Sequence, residues 1–140
     1  WGATLAGGQR VHLHPSVPHS DIAVLMNAMD VLVLPSLTTS FWKEQFGHVL
    51  IEAMSCQVAV VGSNSGEIPN VVADAGWIVP EGDSHALRDA LEQLASDLSI
   101  CSDLASRGRE RVLDRYTHTE IAYQTHQFLQ HVATGDTPDD

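Results

Sequence analysis

Glu44 and Glu52 stand eight residues apart on either side of Phe46-Gly47, where a polar stretch gives way to the run HVLIEAMS. Val49, Leu50, Ala53 and Met54 recur at the three-to-four spacing of one helical face, which puts Gly47 at the start of a helix. A helix start presents unpaired amides and about half a positive charge to an anion, and glycine lets the backbone come close to it. The two carboxylates flank those amides and can each accept hydrogen bonds from a pair of hydroxyls. This layout suits a nucleoside-diphosphate sugar. The backbone amides of Gly47, His48, Val49 and Leu50 would take the diphosphate, one carboxylate the sugar hydroxyls and the other the ribose hydroxyls. Each such charge-assisted bond is worth roughly 1.5–3 kcal/mol, enough to set orientation. A retaining glycosidase also uses two carboxylates, but from opposite faces of one bond, and a pair around a helix start fits that poorly.

The surrounding pattern supplies elements to hold these residues. Val31, Leu32, Val33 and Leu34 form a continuous apolar run ended by Pro35, the mark of a parallel strand buried on both faces. A second run, VAVVG at 58–62, follows the helix, and a third strand is predicted at 76–80 after a short helix entered near Pro69. Strand, loop, helix, strand is the unit of a doubly wound α/β sheet, whose ligands bind beyond the carboxyl ends of the strands. Before it, Ser20 or Asp21 can cap a helix carrying Ile22, Leu25, Met26 and Met29, and VHLHP reads as a short strand. From 84 to 131 the chain is predicted helical, with caps expected at Ser84, at Ser102 and at Thr117 or Thr119. The expected architecture is one Rossmann-like domain over 1–131, closed by a helical C-terminus, and an acidic tail over 132–140.

The 140 residues carry eighteen acidic and seven basic side chains, a formal charge of −11, which disfavours nucleic acid and anionic membranes as partners. No apolar run approaches the roughly 20 residues that span a bilayer, and the opening WGATLAGGQR has no signal-like apolar stretch. A cytoplasmic location is expected, with Cys56 and Cys101 as reduced thiols. His12 and His14 would share a strand face, but no third metal ligand stands near them, so structural or surface roles are expected. His48 is placed either to touch a phosphate or to lie on the surface.

The segment PSLTTSFWKEQFGHVLIEAMSCQVAVVGSNSGEIPNVVADAGWIVPEGD resembles the C-terminal signature of retaining glycosyltransferase family 4, of the two-domain GT-B fold. The shared order is a Pro-Ser ending a strand, a Glu, a Phe-Gly, a second Glu eight residues after the first, a strand and a glycine loop. Similarity runs from about Val11 to Tyr116. The resemblance implies that Glu44 contacts the transferred sugar, the catalytic assignment it offers, and that Glu52 binds the donor ribose. It implies that Phe46, Gly47 and the amides after them line the sugar and diphosphate. Pro15, Ser16 and Val17 match the loop beside the nucleobase. It also implies catalysis without a metal or cofactor, and the chain has no Asp-x-Asp motif.

Two departures stand out. Cys56-Gln57-Val58-Ala59 replaces a small residue, Gly, any residue and Pro, so the turn into the second strand is expected to differ. Gly66-Glu67-Ile68-Pro69-Asn70 stands where many members have Gly-Gly-x-Pro-Glu, leaving Glu67 without an assigned role. The N-terminal acceptor domain of the family is absent here, as are its early Arg and Lys; Lys43 is the sole lysine and Arg10 the sole arginine before Arg88. The expected function is the donor-binding domain of a retaining glycosyltransferase, inactive without its acceptor domain. The alternatives are a non-catalytic nucleotide-sugar-binding module and a GT-B sugar-nucleotide epimerase. A truncated sheet edge would leave a surface for homodimer formation.

Overall fold

The computed structural model describes residues 11–134. The helices and strands run in the order α1 (His19–Met26), β1 (Val31–Leu34), α2 (His48–Ser55), β2 (Ala59–Ser63), α3 (Ile68–Val72), β3 (Trp77–Val79), α4 (Ser84–Ser96), α5 (Leu98–Arg115) and α6 (His118–Thr134). The three strands form one parallel sheet in the order β1-β2-β3, with Leu34 opposite Gly62 and Ser63 opposite Val79. This is the expected Rossmann-like α/β sheet flanked by helices with a helical C-terminus. The opening ten residues and the tail from 135 onward lie outside the described residues, and with them the expectations about a signal segment and most of the acidic tail.

Parallel strands joined by helices must be covered on both faces, and the side chains of β2 divide accordingly. Val60 enters a core with Leu50, Met54, Ile68 and Val72, whereas Ala59 and Val61 enter a second one with Ala90, Leu94 and Leu104. Every residue of β2 is buried, which is why its sequence shows no polar alternation. Leu50 is completely buried, a placement that stabilises a side chain of its size by about 1.5–3 kcal/mol. It fixes which way α2 faces.

Helix α5 spans both cores, through Leu104 in one and Val112 in the other. Its arginines satisfy carbonyls at the far ends of neighbouring helices. Arg109 donates to Ser55 O, Arg111 to Val71 O at 2.7 Å and Asn70 O at 2.7 Å, and Arg107 to Asp74 O at 2.6 Å. Cations at helix C-termini also oppose the partial negative charge there.

Several local expectations are corrected. Residues 11–15 form no strand, so His12 and His14 do not share a strand face. The cap of α4 is Asp83, whose Oδ1 accepts from His85 N–H at 3.0 Å and Ala86 N–H at 2.9 Å, rather than Ser84. Ser102 lies inside α5, which begins at Leu98 behind an Asp97 cap. Helix α1 begins at His19, ahead of Ser20 and Asp21. Gln57 adopts φ 57°, the left-handed conformation a glycine would take, despite its side chain. No described helix is long and apolar enough to cross a membrane.

Candidate functional site

Parallel strands bring three loops to one end of the sheet: residues 35–47 after β1, 64–67 after β2 and 80–83 after β3. The first leads into α2, whose amino end therefore lies among all three. Gly47 caps it at φ 76°, ψ 51°, where a Cβ would come within 3.1 Å of Leu50 Cδ1. The positive φ favours glycine there, while the contact would ask only that the Leu50 side chain give by a few tenths of an ångström.

Glu44 is half-buried beside this helix start. Its Oε1 accepts from Gly47 N–H at 3.1 Å, and its Oε2 from Ser36 Oγ at 3.3 Å. Leu50 N–H is taken by Gly47 O at 2.8 Å. Of the four amides expected to face an anion, those of Gly47 and Leu50 are therefore occupied within the protein. His48 and Val49 have no such partner among the described residues and remain available. The carboxylate of Glu44 serves as a cap, with lone pairs left for further donors.

Glu52 is half-buried on the flank of α2. It borders a cleft of about 180 Å³ with Ser55 on its own helix, Cys56 just beyond it, and His19, Ile22 and Met26 on α1. Its carboxylate accepts no hydrogen bond among the described residues. Pro15, Ser16 and Val17 run irregularly toward the start of α1; His19 of that helix lines the cleft, but these three residues do not, and no hydrogen bond joins them to α2. Phe46 turns inward instead. It packs against the core, with its ring 5.8 Å from Tyr116 and edge-on to it, and 4.9 Å from the exposed His48 ring. Phe46 can line a ligand only with its backbone or ring margin.

Sequence reasoning missed the polar ties between loops. Gly66 sits at φ 56° against Glu44, so close that a Cβ would lie 1.7 Å from the Glu44 carbonyl oxygen. Glu67 N–H points at the same oxygen at 3.4 Å. The buried Ser63 donates its hydroxyl to Ser36 O at 2.6 Å. Thr38 donates to Glu81 twice, from N–H at 2.6 Å and from its hydroxyl at 2.7 Å. Those two bonds, hydroxyl first, hold the Glu81 carboxyl below its ordinary value. The Gly66 turn was visible in the sequence as a glycine loop; the other ties join residues 23 to 43 positions apart and leave no periodic trace.

Groups of three or more candidate metal ligands do not occur among the described residues. Lys43 is the one basic side chain on the described loops at this end. The fixed features are thus two free amides, a capped glycine turn, and carboxylates on either side of it. Chemically, that can hold an anion between two hydroxyl-binding groups.

The model of the family described as glycosyl transferases group 1 matches residues 3–111. N-acetyl-alpha-D-glucosaminyl L-malate synthase of Bacillus anthracis is 31% identical over 118 residues, covering 83% of this chain and 30% of that protein. The sucrose-phosphate synthase structure from Thermosynechococcus elongatus superposes with a TM-score of 0.78 at 32% identity, covering 91% of this chain and 31% of that one. Anabaena Alr3699/HepE, in complex with UDP-glucose, gives a TM-score of 0.66 at 28% identity, covering 79% of this chain and 30% of that one. The chain spans under a third of the length of these proteins, and its fold matches the C-terminal domain of GT-B glycosyltransferases. On its sequence and its fold together, the chain belongs to the glycosyl transferases group 1 family.

Proposed function

We propose that this chain is the donor-binding domain of a retaining glycosyltransferase that takes a sugar from a nucleoside diphosphate. The observation that carries the reading is the pair of free amides, His48 and Val49, at the amino end of α2 between Glu44 and Glu52. They receive the diphosphate, whose departure aligned amides stabilise as negative charge develops on it. Glu44, already fixed by Gly47 and Ser36, accepts from the transferred sugar. Glu52, with its carboxylate open to the α1 cleft, accepts from the ribose. The nucleobase then lies toward Pro15, Ser16 and Val17. Lys43 is the nearest described cation for the diphosphate or for an acceptor group. The binding of UDP-glucose by the Anabaena relative supports this class of ligand. Acceptor binding, and so turnover, falls to an N-terminal domain of the kind the GT-B fold pairs with this one. Pairing of a second copy along the β1 edge is the assembly this fold would permit, and sedimentation would detect it.

Calorimetric titration of the full chain with UDP, GDP and ADP sugars tests the reading. One of them should bind, and Glu52→Ala should weaken it about tenfold, the loss of one charged hydrogen-bonding group. Binding by none of the three in a folded sample would refute the donor site. Undiminished binding in Glu52→Ala would refute the ribose assignment.

A further inference from the structure

Before Phe46 enters the core, the loop that begins at Pro35 has little apolar burial to order it. Leu37, Phe41 and Trp42 are exposed, Phe41 to 98%. What holds it is polar and converges on Glu81. Glu81 is itself fixed: its N–H donates to Asn64 Oδ1 at 2.8 Å, and Asn64 N–H donates to Val79 O at 2.9 Å. From that base its carboxylate takes both the N–H and the hydroxyl of Thr38, while Thr38 Oγ1 lies 3.0 Å from Oγ of the fully buried Ser65. Two residues earlier, Ser36 has its carbonyl held by Ser63 and its hydroxyl on Glu44. The tie therefore runs from the ends of β2 and β3, through Glu81 and Thr38, to the serine that orients Glu44.

We infer that Glu81 is a positioning residue for the sugar end of the site, fixing the loop at Thr38 so that Ser36 and Glu44 keep the disposition that receives the transferred sugar. This rests on the proposed role of Glu44. Hydrogen bonds to an ionised acceptor are the stronger kind, and two from one residue fix direction as well as distance. The Lys43 ammonium lies within electrostatic reach of the same carboxylate and favours its charged form. The amides of His48 and Val49 and the carboxylate of Glu52 are held by α2 itself and by the core, and the tie reaches them only indirectly, through the Glu44 bond to Gly47 N–H. Loss of the tie should therefore cost affinity for the sugar and leave affinity for the nucleoside diphosphate intact. A general loosening of the domain would lower both.

The test compares UDP with UDP-glucose, or the corresponding GDP-mannose or ADP-glucose pair, on the full chain and on Glu81→Ala, Thr38→Val and Glu81→Gln. Glu81→Ala and Thr38→Val should each lower sugar-nucleotide affinity about tenfold while nucleoside-diphosphate affinity changes less than about twofold. Glu81→Gln keeps an acceptor for Thr38 N–H and offers a donor to the Thr38 oxygen, so it should recover most of the loss. Equal losses for both ligands, or no loss for either, would overturn the inference. Wild-type chain that binds the diphosphate and its sugar form equally would instead overturn the sugar role of Glu44. Absence of any nucleotide binding would remove the donor site, and the inference with it.

Discussion

Replacing Gly66 with alanine should be the most damaging single-methyl change at this end of the sheet. Two costs combine. A non-glycine residue at φ 56° pays about 1–2 kcal/mol for the left-handed conformation. The new Cβ would also lie 1.7 Å from Glu44 O and 2.8 Å from its carbonyl carbon, and that contact has to open beyond 3.0 Å. The neighbour is backbone and cannot rotate away, so the Glu67 N–H to Glu44 O interaction is lost as well, at about 1 kcal/mol. The total is about 3 kcal/mol. Gly82 provides the control, since it has φ 72° but meets only Leu37 Cδ2 at 3.8 Å; Gly82→Ala should cost the conformational part alone, about 1–2 kcal/mol. Urea unfolding of the two variants should differ by about 1.5 kcal/mol, a midpoint gap of roughly 1 M for a slope near 1.5 kcal/mol/M. Stabilities within about 0.5 kcal/mol of each other would mean that Glu44 is free to move. The close approach of the two loops would then have no energetic weight.

Further outcomes follow from individual contacts. Asp83→Ala should destabilise the chain by about 1 kcal/mol, whereas Ser84→Ala should stay within about 0.5 kcal/mol, both read by thermal or urea unfolding. The Thr38 bonds hold Glu81 below its ordinary value, so their stabilisation is complete above the unfolded pKa and is lost as pH falls through the folded one. The stability deficit of Thr38→Val should accordingly be full at neutral pH and shrink at acid pH; a deficit that persists unchanged into acid would refute the link. Burial, and then the Asp30 carboxylate, push the Cys101 thiol up. Iodoacetamide at pH 8 should therefore modify Cys101 more slowly than free cysteine, and Asp30→Asn should raise the rate modestly; a rate equal to that of free cysteine would contradict this.

The parallel sheet was legible from its uninterrupted apolar runs, VAVVG at 58–62, where β2 is buried throughout, and Val31–Leu34, although β1 lies at the sheet edge and its four side chains are half-buried rather than covered on both faces as expected. The helix start at Gly47 was legible from the periodicity of Val49, Leu50, Ala53 and Met54. Helix caps were less so. Asp83 and Ser84 are adjacent and both chemically able to cap, and only the backbone turn at Gly82 decides between them. Ser102 resembles a cap in sequence but lies one turn inside α5, because Asp97 already satisfies Ser99 N–H at 2.9 Å. The fate of individual amides was beyond reach: spacing placed Gly47 and Leu50 at the helix start, but not the carboxylate and carbonyl that occupy their N–H groups. Nor does any local pattern pair Thr38 with Glu81. Such a contact exists only once β1 and β3 have been laid on either side of β2.

The arginines of α5 have a consequence for the speed of encounter with an anionic ligand. Because α2 and α3 run back from the carboxyl ends of the strands, Arg107, Arg109 and Arg111 sit toward the opposite end of the sheet, bound to helix-terminal carbonyls. Among the described residues little positive charge is left near the loops, where Glu44, Glu67, Glu81 and Asp83 face Lys43. A diphosphate bound as proposed would meet a repulsive field at long range and find attraction only at short reach, from the two amides and Lys43. Added salt, by screening that field, should speed its association rather than slow it, the reverse of what a basic phosphate-binding surface would give.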